Sequence, residues 1–152
     1  MLGRTYEREN CSAARALELV GERWSLLIMR DAMFGGARRF SEFERSLGIA
    51  SNVLAARLEL FVDNGLMESQ RGVGDTDGRE YVLTAQGRDL EPVILALSAW
   101  GDRWAAPDGA PIVYEHRQCH SPVRLELRCD ACGESLVPGV TLALPGPGMP
   151  LG

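Results

Sequence analysis

A chain of 152 residues has room for one ordinary domain, or one small domain with an appendage, and excludes a multi-domain enzyme. With 45% apolar and 24% charged residues it can bury a core and stay in solution. All 16 basic residues are Arg, set against 21 acids for a net charge of −5, so nucleic-acid binding by the field of the whole molecule is excluded and only local placement of Arg could support it.

Residues 1–10 are polar and lack the apolar stretch of a signal or transit peptide, and they read as an N-terminal arm. The longest nearly apolar run, residues 93–100, is too short to span a bilayer, so a cytoplasmic protein without membrane contact is expected. In that compartment the four cysteines read as thiols or metal ligands rather than as a disulfide framework.

Residues 12–20 are rich in helix formers, with Ser12 as the expected N-cap and Gly21 as a stop. A second helix is expected from Glu22 to about Phe34, with Trp24, Leu27, Ile28 and Asp31 on one stripe and Gly35-Gly36 ending it. A short third helix follows with Ser41 as N-cap and Phe40, Phe43 and Leu47 as its apolar positions. Gly48-Ile49-Ala50 then turns the chain, and Ser51 caps a fourth helix that runs to about Asn64. The period changes after Leu66: residues 67–71 and 79–84 read as two strands joined by the glycine-rich loop 72–78. Thr84 caps a long helix, about 85–104, whose Leu90, Val93, Ile94, Leu97, Trp100 and Trp104 recur at helical spacing; Pro92 should kink it or shift its start.

The expected organisation is therefore an arm (1–10), a winged helix-turn-helix domain (11–106), a linker (107–111), a small β appendage (112–145) and a disordered tail (146–152). Strand-like pieces in the appendage fall at 112–116, 123–128 and 140–144. The fold class is mainly α with a β-hairpin wing, plus a small, zinc-ribbon-like β appendage.

The segment from Cys11 to about Trp104 resembles the HxlR-type bacterial transcriptional regulators. The resemblance rests on Gly21-x-x-Trp24, Arg39-Phe40-Ser41-Glu42-Phe43, Leu54-x-x-Arg57-Leu58, Asn64-Gly65-Leu66 and Tyr81-x-Leu83-Thr84-x-x-Gly87. One departure is Ser12 after Cys11, where the family has Pro. The resemblance implies a winged helix, transcription regulation and, for members that sense oxidants through a cysteine at this place, a redox-sensing role for Cys11.

The DNA-reading surface can also be argued from the residues. If the fourth helix buries Leu54, Leu58, Phe61 and Val62, then Asn52, Ala55, Ala56, Glu59 and Asp63 face outward. Its first turn is small and polar, as a helix entering a major groove end-on requires, with Ser51 or Asn52 able to bond base edges or phosphate. Candidate DNA contacts are thus Ser41, Ser51, Asn52, Ala55 and Ala56. Arg38, Arg39 and Arg45 flank the third helix, and Arg71 and Arg79 bracket the wing tip. Residues 35–84 hold six Arg against eight acids, so nonspecific binding should be weak and salt-dependent. Arg57 reads equally as an ion-pair partner or a DNA contact, and the tryptophans as core or dimer-interface packing. The loop 72–78 nearly spells a dinucleotide fingerprint but has no helix behind it, so it is read as a wing loop.

Cys11 stands just ahead of a helix with Arg8 and Arg15 nearby, which would favour a thiolate; the competing reading is a buried small hydrophobe. In the appendage, His116-x-x-Cys119, nine residues, then Cys129-x-x-Cys132-Gly133 could hold one structural zinc, with His120 competing for the place of His116; the alternative is a metal-free β cap. No cofactor is otherwise required. No Gly-x-Ser-x-Gly, His-Glu-x-x-His or P-loop is present, so no enzyme is expected. The expectation is a homodimeric, sequence-specific regulator of double-stranded DNA, open to a redox or small-molecule effector. The alternative is a non-DNA-binding winged-helix interaction module, which the net charge favours.

Overall fold

The computed structural model describes residues 5–73 and 78–149. It divides into two compact units, Met1–Ile94 and Leu95–Gly152. The first holds α1 (Ser12–Val20), α2 (Ser25–Met33), α3 (Phe40–Leu47), α4 (Ser51–Asp63), β1 (Met67–Arg71), β2 (Arg79–Leu83), the one-turn α5 (Ala85–Arg88) and the start of α6 (Glu91–Trp104). The strands pair antiparallel with Met67 opposite Leu83 and Arg71 opposite Arg79. This is the mainly helical winged helix-turn-helix fold that the element order predicts.

The core is built where the helical stripes meet. Ile28 and Met29 of α2, Phe43 of α3, and Leu54, Leu58 and Phe61 of α4 are fully buried, and Leu66, Met67 and Ile94 close the cluster beneath the hairpin. Each large apolar side chain so buried contributes about 1.5–3 kcal/mol. Asp31, which the sequence places on the apolar stripe of α2, is buried but satisfied. Its Oδ1 accepts from Arg30 Nε (2.9 Å) and Nη2 (2.7 Å), and its Oδ2 accepts from Ser46 Oγ of α3 (2.6 Å). A buried carboxylate with these partners fixes α2 against α3.

Several boundaries differ from expectation by a residue or more, for local reasons. The N-caps are Cys11, Trp24, Arg39 and Ala50, so Ser12 and Ser51 are the first residues of their helices and Ser41 lies within the first turn of α3. Glu22 lies ahead of α2, where its carboxylate accepts from the Trp24 N–H (2.9 Å). The expected long helix is two: Thr84 caps α5, and α6 begins afresh with Pro92 as its second residue, where a missing N–H is harmless.

The second unit joins the later part of α6 to residues 105–149, so the expected break at 107–111 is not where the chain divides. Ser98 of α6 and the Tyr114 hydroxyl are 3.3 Å apart. The three expected appendage strands do not form. Among the described residues this region holds only the isolated bridges Glu115–Pro122 and Arg128–Ser135, and residues 140–144 pair with nothing ladder-like. Residues 74–77 of the loop and 150–152 of the expected tail lie outside the described residues, while 146–149 close a turn with Met149 N–H on the Gly146 carbonyl (3.0 Å). No described helix is long and apolar enough to cross a membrane.

Candidate nucleic-acid interface

α3 and α4 form the helix-turn-helix. Gly48 ends α3 in the left-handed region (φ 60°), a conformation other residues resist, and its N–H bonds the Glu44 carbonyl (2.9 Å). Ile49 is buried in the turn, and the Ala50 carbonyl accepts the N–H groups of Val53 and Leu54 (both 3.0 Å). Across the turn the Ser51 hydroxyl donates to the Glu44 carboxylate, locking the two helices together. The Ser51 proton is thus committed inside the protein, and only its lone pairs remain for an outside donor.

α4 presents the face expected of it. Leu54, Leu58 and Phe61 are inside and Val62 is half-buried, while Asn52, Ala55, Ala56, Glu59 and Asp63 are all exposed. Small side chains at the start of the helix leave its backbone open to close approach, and Asn52 adds a donor and an acceptor there. Arg57 lies half-buried on the flank. Its Nε is buried without a hydrogen-bond partner among the described residues, so the structure supplies no ion pair through that atom.

The segment before α3 reaches the wing. Tyr81 N–H donates to the Arg38 carbonyl (2.7 Å), Arg39 bridges to Glu80 across the backbone, and the Arg39 guanidinium stands 3.6 Å from the Glu80 carboxylate. Glu42, at the third position of α3, accepts from the backbone N–H groups of Arg38 (2.8 Å) and Arg39 (3.0 Å). These bonds, with the nearby Arg39 and Arg45 charges, hold its carboxyl below the ordinary value. Arg38, Ser41 and Arg45 remain exposed on this flank.

At the far end of the hairpin Arg71 and Arg79 face each other across the ladder, both exposed. Like charges in register destabilise a strand pair, by about 0.2–1 kcal/mol relative to a neutral one. They line a concavity with Ser69, Gln70 and Gly78. A second groove, of about 360 Å³, is lined by Ala55, Glu59 and Asp63 of α4 and by Ser69, Arg79 and Tyr81 of the wing. The exposed face of α4 and Arg79 of the wing therefore border one groove, with Arg71 in the concavity next to it.

Two motifs hold the wing on α4. Asn64-Gly65-Leu66 closes the helix: Leu66 N–H bonds the Phe61 carbonyl (2.8 Å), Gly65 N–H bonds that of Val62 (3.1 Å), and Gly65 has φ 75°. Thr84 donates to the Gly65 carbonyl (2.6 Å) and accepts from Gly87 N–H (3.1 Å). A Cβ on Gly87 would lie 2.1 Å from the Leu66 carbonyl oxygen, so only glycine fits beneath the strand end.

The other candidate sites lie elsewhere. Cys11 is exposed, in extended conformation at the N-cap of α1, so the buried reading of it is not met. The Arg15 guanidinium is held by the Tyr6 and Glu9 carbonyls and by Glu18 (3.1 Å). In the appendage His116 Nδ1 is 3.3 Å from Cys119 Sγ, and Cys129 and Cys132 hold the corresponding places of a second turn. The Ser121 N–H and hydroxyl pull the Cys119 thiol below its ordinary value, and the N–H groups of Cys132 and Ala131, then the Cys132 thiol, do so for Cys129. Among the described residues no three such side chains gather as a metal site. His116 with Cys119 and Cys129 with Cys132 stand as two pairs, one on each of two turns. His120 points to neither pair as a third ligand; its nearest ionic partner is Glu115 at 3.8 Å.

A helix-turn-helix, a two-stranded wing and a groove between them define a winged-helix regulator. The comparisons agree and give the family. A family model described as HxlR-like helix-turn-helix matches residues 19–109, and the chain belongs to that family. An HTH-type transcriptional regulator of Mycobacterium tuberculosis, Rv3095, is 43% identical over 92% of this chain and 89% of its own length. The crystal structure of PA1607, titled a transcription factor, superposes with a TM-score of 0.81 at 38% identity, covering 91% of this chain and 96% of that one. The reduced form of the redox regulator HypR matches 61% of this chain and 92% of its own, with a TM-score of 0.55 and 28% identity. The protein is a transcriptional regulator and not an enzyme.

Proposed function

We propose that the chain binds a defined site on double-stranded DNA as a homodimer, with α4 in the major groove and the wing on the flanking backbone. The carrying observation is the opposed Arg71–Arg79 pair beside the exposed face of α4. A like-charge pair that weakens its own hairpin is explained when an anion lies between its members, and a phosphate backbone supplies one. Asn52, Ala55 and Ala56 meet the bases; Arg38, Arg39, Ser41 and Arg45 hold the backbone, with Ser51 contributing its lone pairs.

Dimerisation is supported by α6. Val93, Leu97, Trp100 and Trp104 recur along one stripe and are 45%, 53%, 62% and 65% exposed, and Leu17 of α1 is 50% exposed. An apolar stripe of this size left in water is costly, and a second copy of the same helix covers it isologously. The two α4 helices then address half-sites one helical turn apart, ~34 Å. Exposed Cys11 at the start of α1 is the residue through which an oxidant signal would enter; the likeness to the redox regulator HypR supports this reading.

Selection from random-sequence duplex DNA by the full chain tests the function. Enrichment of a two-fold symmetric site is expected. A folded protein that enriches no sequence at low salt overturns the reading and favours a protein-interaction module instead.

A further inference from the structure

The appendage carries one backbone turn twice, 13 positions apart, and only the second copy can do thiol chemistry with itself. In the first turn His116 N–H bonds the Ser121 carbonyl (2.9 Å), His120 N–H bonds the His116 carbonyl (2.9 Å), and Val123 N–H bonds that of Tyr114 (2.8 Å). In the second, Cys129 N–H bonds the Glu134 carbonyl (3.0 Å), Gly133 N–H bonds that of Cys129 (2.9 Å), and Leu136 N–H bonds that of Leu127 (2.8 Å). The bridges Glu115–Pro122 and Arg128–Ser135 match, as do the left-handed residues His120 (φ 55°) and Gly133 (φ 70°). Both turns bring their first and fourth residues together. In the first these are His116 and Cys119; in the second they are Cys129 and Cys132.

We propose that Cys129 and Cys132 are a reversible dithiol–disulfide site that responds to hydroperoxides, independent of Cys11 and of DNA binding. The turn holds the two Cα atoms within about 7 Å, inside the range a disulfide spans. In the matching first turn the side chains at these two positions, His116 Nδ1 and Cys119 Sγ, stand 3.3 Å apart, so the same backbone brings the side chains of Cys129 and Cys132 to one side of the second. Cys132 is exposed and Cys129 partly so, which leaves the pair open to solutes.

The chemistry balances with the peroxide alone. The Cys129 thiolate attacks one peroxide oxygen, the O–O bond breaks, hydroxide leaves, and a sulfenic acid forms. Cys132 then attacks the sulfenic sulfur; the S–S bond forms, the S–O bond breaks, and the Cys132 proton departs with the hydroxyl group as water. Two thiols are oxidised, one peroxide is reduced and two waters result. Cys119 sits in the same turn with His116 at the partner position, so it cannot close a ring and serves as an internal control.

Trypsin puts Cys11 on peptide 9–15, Cys119 on 118–124, and Cys129 together with Cys132 on 129–152, after Arg128, the last Arg of the chain. Full-length reduced protein is treated with hydrogen peroxide, alkylated with iodoacetamide, digested and weighed. The expected result is that peptide 129–152 loses about 2 Da, takes no alkyl group, and regains both alkylation sites after dithiothreitol, while peptide 118–124 stays alkylated. In Cys132→Ser the loss disappears and Cys129 becomes reactive to a sulfenic-acid probe. Two alkylated thiols in peptide 129–152 after full oxidation of a free-cysteine standard overturn the proposal. So does co-purifying zinc, one per chain, that protects both thiols until a chelator is added.

Discussion

At the level of single residues, the positions that carry most of the fold are those where a side chain is missing or a hydrogen bond is short-range. Gly87 lies under the end of the hairpin, and a methyl group there meets the Leu66 carbonyl oxygen at 2.1 Å, backbone that cannot swing aside. Gly87→Ala is therefore expected to destabilise the domain by about 1–3 kcal/mol, read as a lower urea midpoint with unchanged slope. Glu42 gives a pH signature. Its native carboxyl is held below 4.5 by the Arg38 and Arg39 N–H groups, so its stabilisation is complete above that value and is lost as pH falls through the lower native one. Comparing wild type with Glu42→Gln by thermal melts across pH, the difference is expected at neutral pH and shrinks on the acid side below 4.5. A constant difference down to the acid limb would show that the N–H bonds are not its source. Residues such as these explain why the sequence motifs are spaced as they are: Thr84 caps α5 and anchors the end of α4, and Gly65 with Leu66 completes that helix end.

At the level of elements, much was legible in the sequence. Strand β1 falls at residues 67–71, where the change of period after Leu66 and the glycine-rich loop place it, the α4 face splits inside from outside as a 100° wheel predicts, and Asn-Gly-Leu and Thr-x-x-Gly mark true ends. What was not legible depends on distant atoms. Ser51 looks like a cap from its neighbours alone, yet its hydroxyl goes to Glu44 seven residues back, which no local pattern encodes. The Arg71–Arg79 opposition was hidden for the same reason, since register across a loop decides it. The appendage reads as strands because alternating Val and Leu at 123–127 look β-like, although this run pairs only at its two ends, with Tyr114 and with Leu136, and builds no ladder. The wing makes a two-signed prediction. Arg71→Gln is expected to raise thermal stability slightly, by about 0.2–1 kcal/mol, while it weakens DNA binding and lowers the salt slope by about one. Stability and affinity falling together would instead mean a folding role. For α6, Leu97→Glu with Trp100→Glu is expected to convert dimer to monomer in analytical ultracentrifugation while leaving the helical content intact; a variant that stays dimeric places the interface elsewhere.

For the whole molecule, the charge balance that argues against nucleic acid becomes a statement about how it binds. On the proposed function, net −5 repels phosphate at a distance, so affinity would rest on a few locally placed Arg side chains such as Arg71 and Arg79 of the wing, with Glu59 and Asp63 further back along α4 disfavouring poor registers. Such a protein should discriminate strongly between its own site and bulk DNA, with little nonspecific background at physiological salt. The most direct measurement is fluorescence anisotropy of the selected DNA site titrated with wild type, Asn52→Ala and Arg79→Ala over a salt series. The account predicts that Asn52→Ala loses affinity mainly for the selected site, by about 1–3 kcal/mol, and that Arg79→Ala weakens all sequences alike with a shallower salt dependence. Wild-type affinity in both variants, with the fold intact, would contradict it.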